Sequence, residues 1–129
     1  MNENLKIGPN YETMKVWPAV IHPKARESLR SLSKFVRQAF GKAILDLQRG
    51  RILKMPLARP MPDVGAGVHE LRVKDESGAY RALYVVKFQE AVYVAHVFEK
   101  RSRTTPLRDI EIGKKRLKEM LPCEKSAPS

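Results

Sequence analysis

The fold is decided by residues 68–98, which read VHELRVKDESGAYRALYVVKFQEAVYVAHVF. Three segments of this stretch have the β-branched and aromatic content that is typical of strands: Val68–Lys74, Tyr80–Gln89 and Ala91–Phe98. Asp75–Gly78 supplies turn residues, and Gln89–Glu90 is a tight link. Because connections this short join antiparallel neighbours, the stretch predicts a three-stranded meander.

Apolar residues at helical spacing precede the meander. Pro23 opens a first helix whose apolar face includes Leu29, and Ser33 is a candidate N-cap for a second helix. This second helix is expected to run from about Lys34 to Arg49 and to stop at Gly50. Since only a short link joins the two helices, they are expected to form an antiparallel hairpin.

The remaining segments complete an α+β domain. Val16–Ile21 predicts a short strand, which Pro18 confines to a sheet edge or a bulge. Prolines and glycines mark Arg51–Gly67 as an extended loop. After the meander, Thr105 is expected to cap a last helix, Pro106–Leu121. The predicted fold is α+β, with an N-terminal helical hairpin packed on an antiparallel β-sheet and a C-terminal helix.

The composition favours one class of binding partner and excludes several kinds of functional site. The 129 residues suit one domain, and their net charge of +11 favours a polyanionic partner. Cys123 is the single cysteine, which excludes a disulfide framework and a cysteine-cluster zinc site. The sequence has no Walker motif, dinucleotide-binding glycine fingerprint or HExxH motif. It also lacks a signal peptide and any apolar run near ~20 residues, so we expect a cytoplasmic protein without a membrane partner.

The predicted strands carry an unusual number of cations. Strand alternation places Glu70, Arg72 and Lys74 on one face, and it places Arg81 and Lys87 together on one face of the next strand. One interpretation is a phosphate site, since guanidinium groups match phosphate oxygens in pairs. The other is an ordinary solvated face. Whether Arg72 and Arg81 lie on the same side depends on the strand register, which the sequence leaves open.

An ordered series of short segments resembles a known toxin family. The segments are Gly67–Arg72, Gly78–Tyr84, Val92–Ser102, Thr104–Pro106 and Asp109–Ile110, together with Val16–Trp17 and Leu45–Gly50. The series resembles the phage-derived Gp49-like (HigB-like) branch of the RelE/ParE toxin superfamily. The resemblance covers residues 15–121 and implies a single RelE-like domain there. Residues 1–14 are polar, with Gly8, Pro9 and Asn10 as breakers, and are expected to form a flexible leader, while 122–129 are expected to form a flexible tail.

The resemblance implies a function as well as a fold. It implies the toxin of a type II toxin–antitoxin system, a metal-independent mRNA endoribonuclease (mRNA interferase) that acts on ribosome-bound message and inhibits translation without a cofactor. The implied partners are a helix-turn-helix antitoxin, mRNA and the ribosome, in a homodimer or a toxin–antitoxin hetero-oligomer. A related branch inhibits DNA gyrase, so a non-catalytic ParE-like gyrase inhibitor is the alternative. A plain nucleic-acid-binding module and a phage structural protein are the remaining alternatives.

Candidate site residues follow from the cations and from the resemblance. Arg72, Arg81 and Lys74 are expected to act in catalysis, with Arg72 and Arg81 holding the phosphate. The expected RNA-binding residues are Lys100, Arg101, Arg103 and Lys87. Proton transfer is open among four candidates, Glu70, Lys74, His96 and Glu99.

Two features of the sequence complicate the proton-transfer assignment. His96 also fits a partly buried structural histidine, because Val94 and Phe98 flank it on one strand face. Some relatives have a catalytic tyrosine after the position of Arg103, where this chain has none. Tyr80 and Tyr84 are substitutes only if the strand register brings them to the cations.

Overall fold

The computed structural model describes residues 16–121. Within them the element order is β1 (Ala19–Ile21), α1 (Pro23–Arg30), α2 (Lys34–Gln48), β2 (Ala58–Pro60), β3 (Val68–Asp75), β4 (Gly78–Lys87), β5 (Ala91–Lys100) and α3 (Leu107–Met120). The predicted leader, the tail and Cys123 lie outside the described residues. No helix within residues 16–121 is long and apolar enough to cross a membrane.

The described strands form one five-stranded sheet in the order β1-β5-β4-β3-β2. The predicted meander is confirmed, because β3, β4 and β5 pair as antiparallel neighbours. β1 is the expected edge strand, and it pairs parallel to β5, so the sheet is mixed. The extended loop predicted for Arg51–Gly67 is wrong at Ala58–Pro60, which forms the other edge strand beside β3. A proline is tolerated there because an edge strand does not need every N–H for pairing.

The two faces of the sheet are covered differently. We call the face that carries Leu71, Tyr80 and Ala82 the rear face; it forms one core with α1 and α2. From the helices this core receives Ala25, Val36, Phe40, Ala43, Ile44 and Leu47. The opposite face, which carries Arg81 and Leu83, is the front face. There α3 packs through Leu117 on a second, smaller core, so the predicted α+β class is confirmed.

The helix boundaries largely follow the capping residues of the sequence. The Ser33 hydroxyl accepts a hydrogen bond from the Val36 amide at 3.3 Å, as an N-cap does. Gly50 has a φ of +84°, the left-handed conformation that ends many helices. The cap predicted at Thr105 is wrong. Pro106 is the N-cap residue of α3, and the Thr105 hydroxyl is turned to another partner, described below.

Gly113 sets how closely α3 approaches the front face. A Cβ atom added to this buried glycine would lie 2.7 Å from Leu83 Cδ1 and 3.2 Å from Val64 Cγ1. Both distances are shorter than ordinary van der Waals contact. Gly113 therefore allows α3 to lie directly on the sheet, although glycine in a helix interior lowers the stability of the helix.

Two matched glycine-to-alanine substitutions test this contact. Gly41 lies in α2 with no atom within 4 Å of an added Cβ, so Gly41→Ala should raise the free energy of unfolding by about 0.5–1 kcal/mol. Gly113→Ala gains the same helix propensity but forces Leu83 to move, and overpacking commonly costs about 1–3 kcal/mol. We expect Gly113→Ala to be the less stable variant in urea unfolding. Equal stabilisation by both substitutions would contradict the close contact.

Candidate functional site

The register of the sheet brings the predicted arginines together. Arg72 and Arg81 are direct partners across β3 and β4, and directly paired residues point to the same face. Lys100 pairs with Ala79, two residues before Arg81, so it also lies on the front face. The question that the sequence left open is therefore settled in favour of one shared cationic face.

A buried ion pair lies at the centre of this face. The side chain of Glu70 is 1% exposed and that of Arg81 is 8% exposed. Arg81 Nε lies 3.3 Å from Glu70 Oε1, an ion-pair distance, although its N–H is not aligned for a hydrogen bond. Arg81 Nη1 donates to the Tyr80 carbonyl at 3.1 Å. Burial of a carboxylate is tolerated only with such partners, because an isolated buried charge is very unfavourable.

Further cations surround the pair. Arg59 of β2 pairs with Glu70 in the register, and its Nε lies 4.0 Å from Glu70 Oε1. Arg72 is partly exposed, and its Nη1 lies 3.5 Å from Met55 Sδ. Lys100 Nζ donates to the Arg103 carbonyl, which folds the segment after β5 back onto the strand. An open depression in this region is lined by Pro56, Leu57, Arg72, Val73, Lys74 and Arg81.

Charge is unbalanced at the depression. Burial lowers the pKa of Arg81, and Arg72 and Arg59 lower it further, whereas Glu70 opposes the shift. Burial also lowers the pKa of Lys100, and Arg81 adds to the effect. Arginine remains protonated in proteins, so one carboxylate does not neutralise the cations around it. The depression is therefore suited to bind an anion with several acceptor oxygens, such as a phosphate diester.

Four of the predicted residues lie apart from the depression. Lys87 is six residues beyond Arg81 along β4, about 20 Å away at ordinary strand rise. Glu99 pairs with Tyr80, so it lies on the rear side, and Arg101 Nη2 donates to its carboxylate at 3.0 Å. Arg101 and Arg103 are exposed in the segment that follows β5. None of these four side chains lines the depression.

The tyrosine substitutes are excluded by the same register. Tyr80 and Tyr84 both belong to the rear-face core, on the side of the sheet opposite Arg81. Burial raises the pKa of Tyr84 to about 12, which further disfavours proton transfer by this side chain. Neither tyrosine lines the depression.

His96 has a structural environment. Its Nε2 lies 2.7 Å from Asp109 Oδ1, its Nδ1 lies 3.3 Å from Arg116 Nη1, and its ring stacks on Phe98 with centroids 4.7 Å apart. Both ring nitrogens thus have partners, and the residue is only 6% exposed. The interpretation of His96 as a buried structural histidine is confirmed, and its contacts join β5 to α3.

Two members of the site were missed from the sequence. Arg59 lies in a strand of three residues, which is too short to show an alternating pattern between its neighbouring prolines. Thr105 donates its hydroxyl to Glu70 Oε2 at 2.8 Å, a contact across 35 positions of the chain. Only the N-cap preference of threonine was visible in the sequence, and it indicated the wrong partner. Within residues 16–121, the His, Cys, Asp and Glu side chains form no group of three or more that could hold a metal ion.

Comparison with known proteins identifies the family. A model of the family described as phage-derived Gp49-like proteins matches residues 27–118, which is most of the chain. The chain belongs to the Gp49-like family. A search of curated proteins gives no match to this Gp49-like chain.

Solved structures share the architecture of the Gp49-like chain. A double mutant of the Escherichia coli toxin RelE in the free state is 20% identical, with a TM-score of 0.51 over 82% of this chain and 99% of that chain. This likeness shows a common fold. Two toxin–antitoxin complexes are also similar. RelBE2 of Mycobacterium tuberculosis is 22% identical, with a TM-score of 0.49 over 69% of this chain and 97% of that chain. Intact E. coli RelBE is 26% identical, with a TM-score of 0.45 over 67% and 99%.

The pH dependence of stability tests the environment of His96. Burial lowers the pKa of His96, and Asp109 opposes only part of the shift. The unfolded chain therefore takes up this proton more readily, so stability falls as the pH drops below the unfolded value of about 6.5. We expect the midpoint temperature of thermal unfolding to be lower at about pH 5 than at about pH 7.5. This decrease should be smaller in His96→Gln.

His69 provides the control for this measurement. Its ring is half-buried and lies at 3.2 Å from the Gly67 carbonyl. His69→Gln removes an imidazole ring elsewhere on the sheet and shows what the loss of a ring contributes by itself. If His96→Gln and the wild type lose stability equally on acidification, the buried neutral imidazole is contradicted.

Proposed function

We propose that this Gp49-like chain is the toxin of a type II toxin–antitoxin system and a metal-independent endoribonuclease that cleaves ribosome-bound mRNA in the cytoplasm. The observation that carries the proposal is the surplus of cations around one carboxylate at the front-face depression. The Gp49-like family assignment and the fold shared with RelE support it. Inhibition of translation is the expected consequence of message cleavage.

The arginines have the arrangement that phosphodiester cleavage needs. Arg72 and Arg81 face the depression from neighbouring strands, so both guanidinium groups are able to hold one phosphate. In-line attack adds negative charge to the phosphate oxygens in the transition state, and fixed cations stabilise that charge. The nucleophile is the 2′-hydroxyl of the RNA itself, which DNA lacks.

We assign proton transfer to lysines rather than to Glu70 or His96, which are both buried. Glu70 is sealed beneath Arg81, and His96 lies behind α3 with both nitrogens occupied. Lys74 is exposed and lines the depression. Lys100 has its pKa lowered by burial and by Arg81, which brings its neutral form closer to working pH. We therefore assign Lys74 and Lys100 as the candidate base and acid.

The partners follow from the same charge. An acidic segment of a cognate helix-turn-helix antitoxin is complementary to the front face and, when seated there, would cover Arg72 and Lys74. The exposed cations Arg101 and Arg103 follow β5 and are suited to RNA phosphates outside the depression. Both contacts would weaken as the salt concentration rises.

Removing Arg72 is the direct test of the phosphate assignment. Arg72→Ala should lower RNA cleavage by about 100-fold or more, since losing one preorganised donor typically costs that much. Growth arrest on expression should be lost in parallel. Arg72 is preferred to Arg81 because deleting Arg81 leaves Glu70 buried without its partner, which costs about 3–5 kcal/mol of stability. Primer extension on cellular mRNA measures the cleavage.

Arg37→Ala is the matched control for charge. Arg37 is exposed on α2, whose helix packs on the rear face, so the substitution removes one positive charge away from the depression. We expect cleavage and growth arrest as in the wild type. A fully toxic Arg72→Ala variant would exclude the assigned site. If the wild-type protein leaves RNA intact but inhibits supercoiling by DNA gyrase, the alternative of a gyrase inhibitor is favoured.

The cleavage products test the proposed chemistry. Attack by the 2′-hydroxyl leaves a 2′,3′-cyclic phosphate on one fragment and a 5′-hydroxyl on the other. We expect cleavage to continue in the presence of a metal chelator, and to stop when the nucleotide before the cleaved bond carries a 2′-deoxy sugar. Mass spectrometry of a short RNA identifies the termini. A 3′-hydroxyl product would exclude this mechanism.

A further inference from the structure

A series of buried polar contacts lies beneath the front-face depression. Thr105 is 8% exposed and donates its hydroxyl to Glu70 Oε2 at 2.8 Å. The other carboxylate oxygen, Oε1, lies 3.3 Å from Arg81 Nε. These contacts connect the segment before α3 to β3, and β3 to β4.

The Thr105 hydroxyl is committed to Glu70. It stands next to the N-cap of α3, yet the N-cap residue is Pro106 and no side chain caps the helix. A hydroxyl has one proton to donate, and here Glu70 receives it. With Oε2 held by this bond, rotation of the carboxylate is restricted and Oε1 stays directed to the guanidinium groups of Arg81 and Arg59.

Arg81 depends on that carboxylate for its orientation. Its one hydrogen bond within the described residues that has good geometry runs from Nη1 to the adjacent Tyr80 carbonyl, while its buried Nε–H is not aligned with any acceptor. Arg72 and Arg59 repel it. A guanidinium in this position would turn away from its neighbours unless an anion beneath it held the plane in place.

We propose that Thr105 is a positioning residue, which fixes Glu70 and through it the guanidinium of Arg81 against the substrate phosphate. Thr105 does not touch the phosphate itself. The inference rests on the proposed ribonuclease function for its kinetic consequence, but the geometry of Arg81 is measurable without any RNA. It assigns to Glu70 an orienting role in place of the acid–base role that its sequence position suggested.

Kinetics of three variants test the proposal on a short RNA substrate. Thr105→Val keeps the shape and removes the hydroxyl, so we expect kcat to fall about tenfold with KM within about twofold, because small misplacements of a catalytic group are costly. Thr105→Ser keeps the hydroxyl and should recover most of the rate. Ser31→Ala removes a hydroxyl bond of 2.7 Å to the Ser28 carbonyl at the end of α1 and should leave the rate unchanged.

A second measurement follows Arg81 directly by NMR. In the wild type and in Thr105→Ser, the Nε–H proton of Arg81 should exchange slowly with water because the group is buried beside Glu70. In Thr105→Val we expect this exchange to be about tenfold faster, because a guanidinium that is no longer held over Glu70 is free to turn its Nε–H towards water. If Thr105→Val does not fold, Glu70→Asp serves instead, since it keeps the charge but withdraws the carboxylate from both partners.

The outcomes separate this inference from the proposed function. A wild type that leaves RNA intact overturns the ribonuclease, and the exchange of the Arg81 proton then decides the positioning role alone. Wild-type kcat and exchange in Thr105→Val overturn the positioning role while the ribonuclease stands. An equal loss of rate in Thr105→Ser and Thr105→Val also overturns it, because the hydroxyl would then be irrelevant.

Discussion

The buried pairing of Glu70 with Arg81 is the interaction on which the site depends. A carboxylate that is 1% exposed must be paired and hydrogen-bonded, because its desolvation costs several kcal/mol. Its partners come from β2, β4 and the segment before α3, so the pair is satisfied only when these elements have all assembled around β3. The same contacts gather the cations on one face. The contacts that hold the buried carboxylate are thus the same contacts that assemble the site.

Coverage of the sheet determines where this charge is accessible. The rear face is covered by α1 and α2 over an apolar core, and the front face is covered by α3 over the second core, which includes Leu83 and Leu117. Gly113 lets α3 lie close to the sheet, and the contacts of His96 with Asp109 and Arg116 hold its position. The depression that Arg72 and Arg81 line has no residue of α3 in its lining, although Arg81 itself is buried. The open cationic depression therefore lies outside the part of the sheet that α3 covers.

Much of the fold was predictable because it is encoded in local patterns. Alternation and turn residues indicated β3, β4 and β5, and capping residues indicated the ends of α2. β2 was missed because three residues carry no periodic signal. Thr105 was misassigned because a threonine before a proline-initiated helix has the pattern of an N-cap, and only the neighbouring strand offered it a stronger, charged acceptor. Local propensity gave way there to a tertiary contact.

The sequence by itself determined the class of the fold, the excess of positive charge and the placement of cations on the strands. Strand alternation already separated Arg72 from Leu71 and Arg81 from Tyr80, because successive side chains point to opposite faces. The tertiary structure alone decided that Arg72 faces Arg81, that Glu70 is buried between cations and that His96 is enclosed. Strand register and burial decide these points. Both depend on contacts between residues that are distant in sequence, and the local sequence pattern carries no signal for such contacts.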